Sequence, residues 1–346
     1  MKIKMKIKKL TVDSEATWNN YVKKKKGSLY HQSDWRHLIK EVFDHESHYI
    51  YAEGSNNNIV GILPLIRLKS LLFGDYFVSM PYFNYGGCIA DNETILKALL
   101  DESEKIRETL GCSHVELRNN EKQQIDLPCR QDKVTMLLDL PDDPDILWKN
   151  IGTKRRAQIK RPVREGVEFE VGGIELLSDF YHVFSINMRD LGTPVYSKSF
   201  FAAIFKWFPD SAKVAVVRLN GEAVGVGFLL GDGVTMEIPW ASTLRKVNKI
   251  GVNMFLYWNI LRTSIELEYK TFDFGRSSKD AGTLRFKKQW GAVQKQLYWY
   301  YQLENGREIP QMNHNNKKYE FMINTWRKMP VALCNILGPY IVKGLP

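Results

Sequence analysis

Two hydrophobic periodicities alternate along this chain and predict a mixture of strands and helices. The alternation of lysine with apolar residues over positions 1–10 has the period of two that is typical of a half-buried strand. Apolar residues spaced three and four apart, such as Trp35, Leu38 and Val42, are typical of an amphipathic helix. For the first half, these patterns predict a strand at 1–10, helices at 14–26 and 34–43, a hairpin of 48–52 and 59–66, an extended stretch at 82–87, a helix at 94–110, and strands at 114–118 and 135–140, the last of which closes this half.

The second half predicts the same order of elements. Its patterns indicate helices at 178–191 and 197–208, a hairpin of 213–219 and 223–230, a strand at 236–241, a helix at 252–267, a strand at 271–274 and a helix at 283–290. Two units of about equal length with the same order of elements indicate an internal duplication. The proline- and aspartate-rich cluster 141–145 is expected to cap a helix and to mark the boundary. We therefore expect domains at 1–143 and 144–304, followed by a helical tail at 305–346.

The composition is that of a globular protein with a basic surface. A hydrophobic content of 44% and 346 residues are sufficient for two domains with their own cores. The formal net charge of +10 predicts attraction to anions such as nucleic acid, phosphorylated cofactors or an acidic membrane face. The four cysteines have no CxxC spacing, so free thiols in a reducing cytoplasm are expected. No apolar run approaches the roughly 20 residues that cross a bilayer, which also favours a cytoplasmic protein.

Several common catalytic signatures are missing from the sequence. There is no GxGxxG or GxxxxGK[ST] motif, and no GxSxG elbow. His45 and His48 are three residues apart but have no accompanying ligand pattern, so no metal site is expected. Nicotinamide, serine-hydrolase and metal chemistries therefore fit this chain poorly.

Residues 271–292 combine a predicted strand, a polar loop and a short helix with an excess of basic side chains. The strand ends near the Asp273 carboxylate, and Ser277 lies in the loop. A helix that begins after such a loop presents backbone N–H groups that suit a phosphate or a carboxylate. The basic side chains of this stretch are Arg276, Lys279, Arg285, Lys287 and Lys288. Spacing alone leaves two interpretations open, an anion site or an ordinary connection with a solvated basic face.

A second basic stretch, 149–164, contains no acidic residue. Its basic side chains are Lys149, Lys154, Arg155, Arg156, Lys160, Arg161 and Arg164. As a helix it would carry Lys154 and Arg161 on one face, and Pro162 is expected to end or kink it. This helix is either a solvated surface element or a phosphate clamp, because guanidinium groups match phosphate oxygens with paired hydrogen bonds.

Two further groups of residues are candidates for lining a cleft. Arg189 and Asp190 precede a proline turn at a predicted helix end, where a structural ion pair is the competing interpretation. Glu237, Trp240 and Ser242 are expected to share one strand face, which fits a substrate groove or an ordinary half-buried strand.

The tail 305–346 mixes apolar residues with basic ones. Apolar residues such as Trp326, Ile336 and Tyr340 are accompanied by Lys317, Lys318, Arg327 and Lys328. The pattern predicts either packing on the body of the protein or contact with a membrane surface, and packing is favoured.

Six blocks, 77–87, 154–162, 187–196, 239–242, 253–258 and 273–292, together resemble the FemAB-like branch of the tandem GNAT-fold acyltransferases. Within that branch the chain is most similar to the group associated with exosortase (PEP-CTERM) and exopolysaccharide systems. The resemblance implies an α+β fold of two tandem GNAT-like (acyl-CoA N-acyltransferase) domains. Their sheets would be mixed, mainly antiparallel, and flanked by helices.

The resemblance also implies an enzyme, an acyl- or aminoacyltransferase that modifies an amine of a cell-envelope, peptidoglycan or exopolysaccharide precursor. The donor is expected to be acyl-CoA or aminoacyl-tRNA as a co-substrate, and no tightly bound cofactor or metal is expected. The partners would be an anionic, phosphate-bearing donor and an envelope-precursor acceptor, with tRNA and peripheral contact at the inner membrane face through 317–346 as further expectations. The alternative is a non-catalytic scaffold that binds an anionic polymer or partner in an exopolysaccharide or exosortase system.

Under this resemblance, Asp273 or Glu237 is expected to remove a proton from the acceptor amine. The residues expected to contact substrate are Trp240, Tyr196, Arg189, Asp190 and Tyr257. The residues expected to hold phosphates of donor or acceptor are Arg276, Ser277, Lys287, Lys154 and Arg155.

Overall fold

The computed structural model describes residues 5–70, 73–278, 282–304, 306–310 and 317–345. Its strands are β1 (Lys6–Lys9), β2 (Glu46–Ser47), β3 (Ile50–Glu53), β4 (Ile59–Leu63), β5 (Ile66–Ser70), β6 (Gly74–Val78), β7 (Ile89–Ala90), β8 (His114–Asn119), β9 (Cys129–Arg130), β10 (Lys133–Asp139), β11 (Val167–Gly172), β12 (Ala212–Leu219), β13 (Glu222–Gly231), β14 (Thr235–Thr243), β15 (Thr271–Ser278), β16 (Val293–Gln296) and β17 (Tyr298–Leu303). Its α-helices are α1 (Glu15–Lys24), α2 (Asp34–Phe43), α3 (Glu93–Thr109), α4 (Pro144–Asn150), α5 (Gly152–Arg164), α6 (Leu177–Leu191), α7 (Lys198–Trp207), α8 (Val252–Glu266), α9 (Gly282–Lys288), α10 (Lys317–Lys328) and α11 (Val331–Val342).

The chain divides into two compact units. Unit 1 combines 1–134, 296–312 and 343–346, and unit 2 combines 135–295 and 313–342. The domain limits at 143 and 304, which rest on sequence pattern, stay predictions.

Unit 1 contains a four-stranded sheet and a six-stranded sheet. The strand orders are β1-β3-β4-β7 and β2-β5-β6-β8-β17-β9. Helix α3 begins where the Asn92 side chain accepts a hydrogen bond from the backbone N–H of Ile95, which satisfies one of the helix's first donors. Its apolar face packs on β3 and β4 around Leu99, and Phe77 and Val115 complete the same core. β6 and β8 run parallel, whereas neighbours such as β8 and β17, or β3 and β4, are antiparallel.

Unit 2 is built on a seven-stranded sheet with the order β11-β12-β13-β14-β15-β10-β16. β11 to β14 are antiparallel neighbours, and β14 then pairs with β15 in parallel. Successive side chains of β13 point to opposite faces of the sheet, and helices cover both faces. Phe228 packs against the rings of Phe180 and Phe201 from α6 and α7. A Cβ placed on Gly227, on the other face, would lie 3.0 Å from Ile260 of α8, so this glycine permits close helix packing.

The α+β fold class with mixed, mainly antiparallel sheets flanked by helices is confirmed. Three local expectations differ from the structure. Residues 82–84 form a turn and a bend, with a φ of 71° at Tyr82, and 85–87 belong to no strand. β15 continues to Ser278 through residues expected to be a loop, because β10 lies beside it and supplies hydrogen-bond partners. The third difference is the position of β10, which does not close the first sheet but lies in the sheet of unit 2.

The helical expectations hold with small changes at their ends. The basic run 149–164 forms α4 and α5, separated at Ile151, and α5 continues through Pro162 to Arg164. Pro162 lies in the last turn and leaves the Gln158 carbonyl without its usual N–H partner, and the helix ends two residues later. Among the described helices, none combines the length and the apolar character that a bilayer-crossing helix needs.

The aromatic layer around Phe228 should dominate the stability of unit 2. Phe228 is fully buried, so Phe228→Ala is expected to lower the free energy of unfolding by about 3–5 kcal/mol. Urea denaturation followed by circular dichroism measures this loss. Val293→Ala is the matched control, because Val293 is 70% exposed and its truncation should change stability by less than about 0.5 kcal/mol. Equal effects of the two substitutions would contradict this packing.

Candidate active site

β14 and β15 separate at the centre of the unit 2 sheet. Their parallel pairing covers only three residue pairs and ends at Glu237 and Asp273. Beyond this point β14 continues beside β13, and β15 continues to Ser278. Gly275 has a φ of +73°, a conformation that glycine adopts without strain, and it lies two residues beyond the last pair. The strands therefore diverge from a vertex that carries two carboxylates.

The Asp273 carboxylate is held inside the sheet. Asp273 is 2% exposed, and its Oδ1 accepts hydrogen bonds from Thr135 Oγ1 at 2.6 Å and from the Gly275 backbone N–H at 2.8 Å. Glu237, its partner across the strands, is also buried. Thr135 belongs to β10 and is not singled out by the sequence. It lies far from Asp273 along the chain, and no local pattern connects the two residues.

Lys287 brings a cation to the two carboxylates. Its Nζ donates to the backbone oxygens of Gly275 at 2.8 Å and Arg276 at 3.0 Å, and the residue is buried. Burial lowers the pKa of Lys287 to about 8, while the nearby Asp273 and Glu237 carboxylates oppose that change. An amine with this pKa is largely protonated at neutral pH and can lose its proton within the range in which enzymes work. The role expected for Lys287 from the sequence, that of a phosphate ligand, stays a prediction.

A bulge in β14 aligns Glu237 with Trp240. Simple alternation would place residues three apart on opposite faces. On β13, however, Leu230 lies opposite Glu237 and Phe228 lies opposite Trp240, so β14 has one extra residue between them. Pro239 lies within this irregular stretch, a position that suits a residue without a backbone N–H. Glu237 and Trp240 therefore share the face on which α6 and α7 pack.

An aromatic wall continues from Trp240. The ring of Tyr196 lies 5.8 Å from that of Trp240 in an edge-on arrangement, and both residues are half-buried. Phe200 and Phe201 contact the indole from α7. Ser242, two positions further along β14, accepts a hydrogen bond from the Asn187 amide at 3.0 Å. The wall is thus rigidly supported and leaves part of both rings accessible.

The other predicted substrate residues have clear structural partners. Arg189 forms an ion pair with Asp190 at 2.7 Å and donates to the Met329 carbonyl at 3.1 Å. Arg245 donates to the Asp190 carbonyl at 2.6 Å. These bonds tie the end of α6 to the C-terminal helices and to the segment before α8. A direct contact of Arg189 or Asp190 with substrate stays a prediction.

Tyr257 lies in the packing between α8, β15 and α9. Its ring stacks on Phe274 at 5.7 Å and meets Phe286 edge-on at 4.9 Å. Burial raises the pKa of its hydroxyl, which is therefore neutral. Tyr257 fixes α9, and so Lys287, relative to β15. Its contact with substrate also stays a prediction.

The predicted phosphate-binding residues fall in two places. Arg276 and Ser277 follow Gly275 on β15, where Arg276 is exposed and Ser277 is buried. Lys154 and Arg155 are on α5, which packs along α8. Lys279, a further basic residue of the predicted loop, lies outside the described residues.

The basic helix α5 lies close to the start of α8. A Cβ on Gly251, the residue before α8, would lie 3.4 Å from the Gln158 carbonyl of α5. Gly251 has a φ of +87°, which turns the chain into the helix. The part of α5 around Gln158 and Pro162, which includes Arg161, thus lies beside a helix N-terminus, a place where backbone N–H groups favour anions. Within the described ranges, no group of three or more His, Cys, Asp or Glu residues is arranged to hold a metal ion.

Unit 1 has a corresponding vertex, where the parallel strands β6 and β8 separate, and side chains of unit 1 fill it. β6 and β8 pair only at Phe77–Val115 and Val78–Glu116, so Glu116 occupies the place that Asp273 has in unit 2. Burial alone would raise the pKa of Glu116, but the Arg118 guanidinium and the Tyr301 hydroxyl bring it below its ordinary value. Arg118 also donates to the Phe83 carbonyl at 2.6 Å. Where unit 2 has Gly275, unit 1 therefore has a buried arginine that closes the site.

The comparisons with known proteins agree with this geometry. Residues 153–288 match the family model described as "Acetyltransferase (GNAT) domain". This match covers the part of unit 2 that carries the vertex, Lys287 and the basic helix. The second half is therefore similar to a GNAT acetyltransferase domain over these residues.

Solved structures show the same fold over nearly the whole chain. FemX matches with a TM-score of 0.64 at 14% identity, covering 86% of this chain and 98% of FemX. L-PGS from Bacillus licheniformis matches with a TM-score of 0.55 at 15% identity, covering 90% and 95%. A tandem GNAT protein from the clavulanic acid biosynthesis pathway matches with a TM-score of 0.54 at 11% identity, covering 88% and 100%. No curated protein matches this chain in sequence. The resemblance to FemAB-like tandem GNAT proteins is thus confirmed as a fold.

The buried lysine predicts a specific pH dependence of stability. Because the pKa of Lys287 is about 8 in the folded protein, below the ordinary lysine value of 10.5, the unfolded chain binds more protons between these values. The free energy of unfolding should therefore rise with pH across this window, by roughly 3 kcal/mol, relative to Lys287→Met. Urea denaturation between pH 7 and 10.5 measures the difference.

Lys288→Met is the matched control for this measurement. Lys288 is the next residue and is exposed, so its removal should leave the rise with pH intact. Parallel curves for the wild type and Lys287→Met would contradict the buried position of the Lys287 amine.

Proposed function

We propose that unit 2 transfers an acyl or aminoacyl group from an ester or thioester donor to an amine of a cell-envelope precursor. The observation that carries this proposal is the vertex of Glu237 and Asp273, two buried carboxylates whose charge acts on the buried Lys287 amine. The GNAT family match over 153–288 and the shared fold of FemX support an acyltransferase of this kind. Membership of the exosortase-associated exopolysaccharide group, which only the sequence resemblance suggests, belongs to this proposal.

The chemistry requires one proton acceptor and one site for negative charge. The acceptor amine attacks the donor carbonyl, and the bond to the donor's oxygen or sulfur then breaks. A carboxylate at the vertex, Asp273 or Glu237, takes the proton that the amine loses, directly or through water. We assign the Lys287 ammonium to the stabilisation of charge that develops on the carbonyl oxygen or on the leaving group. Burial strengthens this effect because little water screens it.

The acceptor is assigned to the aromatic wall. Trp240 shares a strand face with Glu237, and Tyr196 extends that wall. Large, firmly supported rings bind sugar or aliphatic portions of a precursor by apolar contact at low entropic cost. The amine would then approach the vertex from the wall.

The donor is assigned to the basic side of unit 2. Helix α5, which packs along α8, carries Lys154 and Arg155, and the exposed Arg276 is on β15. Such an array fits the phosphates of acyl-CoA and equally those of aminoacyl-tRNA. We retain both donors, since both present an activated carbonyl next to a polyanionic body.

Replacing Asp273 by asparagine tests the proton-transfer role. Asparagine keeps the side-chain oxygen that Thr135 and Gly275 bond, so Asp273→Asn should fold normally while turnover falls by roughly 100-fold or more. Single-turnover assays with both donor types and an amine acceptor measure the loss. Asp142→Asn is the control, because that carboxylate is exposed and pairs at the surface with Lys270. Unchanged activity of Asp273→Asn would remove Asp273 from the mechanism and leave Glu237 to be tested in the same way.

Neutralising α5 tests the donor assignment. The double substitution Lys154→Gln and Arg155→Gln should raise the KM for the true donor by about tenfold and leave kcat nearly unchanged. Assays with acyl-CoA and aminoacyl-tRNA over a salt series identify the donor as the one whose KM responds. Lys40→Gln, on the exposed part of α2, is the control. Binding of either donor with no transfer to any amine would favour the non-catalytic scaffold.

A further inference from the structure

The two C-terminal helices α10 and α11 are anchored to unit 2 through one face only. Gly338 lies so close to Val195 that a Cβ there would be 2.8 Å from the Val195 backbone. Cys334 and Val342 are buried on the same side of α11, and Trp326 is buried on α10. Because an i, i+4, i+8 series is one face of a helix, these contacts fix the orientation of α11.

The opposite face of α11 is apolar and exposed. Leu333, Ile336, Leu337 and Tyr340 repeat at the spacing of one helical stripe, and Ile336 and Tyr340 are 62% and 79% exposed. A surface helix normally carries charged or polar residues at these positions. None of the twelve residues of α11 is charged. This helix therefore keeps an apolar surface in water at a cost that a binding partner would remove.

Helix α10, which precedes α11 along the chain, also carries exposed apolar residues. Phe321 and Met322 are exposed at 72% and 57%. Arg327 and Lys328, both exposed, come at the end of α10, between these residues and the stripe of α11. Aromatic and aliphatic side chains next to cations are the composition of segments that lie at a membrane interface.

Charge decides which partner suits this surface. Residues 317–345 include the basic residues Lys317, Lys318, Arg327, Lys328 and Lys343. Glu320 is the single acidic residue of that segment. A second copy would bring two positive segments together, which is unfavourable, whereas an anionic lipid surface complements them. The whole chain also has a net charge of +10, which favours the same partner.

We propose that α10 and α11 form a lipid-binding surface that lies in the headgroup region of an anionic bilayer. Leu333, Ile336, Leu337, Tyr340, Phe321 and Met322 enter the apolar boundary, and Lys328 contacts lipid phosphate. Arg327 instead donates to the Leu191 carbonyl at 3.3 Å and holds α10 on α6. With twelve residues, α11 is about 18 Å long, too short to span a membrane, and it lies parallel to the surface. This inference rests on the C-terminal surface alone and does not depend on the proposed acyl transfer.

Vesicle binding tests the proposal directly. The full chain is sedimented with vesicles of phosphatidylcholine and phosphatidylglycerol at a 7:3 ratio, and with vesicles of phosphatidylcholine alone. The wild type should bind the anionic vesicles at least tenfold more tightly than the neutral ones. The double substitution Ile336→Ser and Tyr340→Ser should weaken that binding by tenfold or more. Lys328→Gln should weaken it by about fivefold, with the difference shrinking at high salt.

Matched controls separate lipid contact from general damage. Val293→Ser and Val234→Ser remove two exposed apolar side chains elsewhere in unit 2, and their vesicle binding should stay within twofold of the wild type. Thermal unfolding should be the same for all variants, because every substituted residue is exposed. Absence of vesicle binding by the wild type, or equal binding by the Ile336→Ser and Tyr340→Ser variant, would overturn the proposal. So would a dimer of the wild type that this variant abolishes, since a second copy would then cover the surface.

Discussion

The parallel contact between β14 and β15 lasts for only three residue pairs, and the candidate site depends on where it stops. Backbone N–H and C=O groups need partners, so each strand must find another neighbour once the two separate. β13 serves β14, and β10 serves β15. The carboxylates of Glu237 and Asp273 remain at the vertex, inside the protein. A buried carboxylate is costly unless a cation or hydrogen-bond donors compensate it, and this requirement explains Lys287, Thr135 and the Gly275 N–H.

The comparison of the two units shows how one fold is used in two ways. Both place an acid at the last parallel pair, Glu116 in unit 1 and Asp273 in unit 2. In unit 1, Arg118 pairs with the acid from its own strand and uses further N–H groups on carbonyls, so the ionic group is fully enclosed. In unit 2, a glycine replaces the arginine, and the cation comes from another helix. Unit 1 thereby gains a fixed buried ion pair, while unit 2 keeps a titratable amine at the vertex.

Local patterns predict most of the elements, and long-range pairing accounts for what they miss. The 3.6-residue period of a helix and the two-residue period of a strand arise because one face is buried. This apolar periodicity can be read from the sequence, for example in α3 and α8. The sheet to which a strand belongs is not visible in this way. The strand predicted at 135–140 is present as β10, but it lies in the seven-stranded sheet of unit 2 instead of closing the first sheet. Thr135 is missed for the same reason, because its role exists only beside β15.

The shared face of Glu237 and Trp240 shows a related limit. The sequence predicts that these two residues share a strand face, and they do. Strict alternation would place them on opposite faces, and the extra residue of the bulge near Pro239 brings them to the same face. The sequence predicts Lys287 as a phosphate ligand, but it does not predict where the Lys287 side chain lies. A lysine in a basic run suggests an exposed phosphate ligand, and only the packing of α9 on β15 shows that its amine is buried.

The placement of β10 has a consequence for anyone dissecting this chain. A recombinant fragment that starts after Asp139 would leave β15 without its neighbour and Asp273 without the hydroxyl that bonds it. In such a fragment β15 would become an exposed edge strand of the sheet, and exposed edge strands promote aggregation. The segment that contains β10, which precedes α4 and α5 along the chain, therefore belongs to the fold of unit 2.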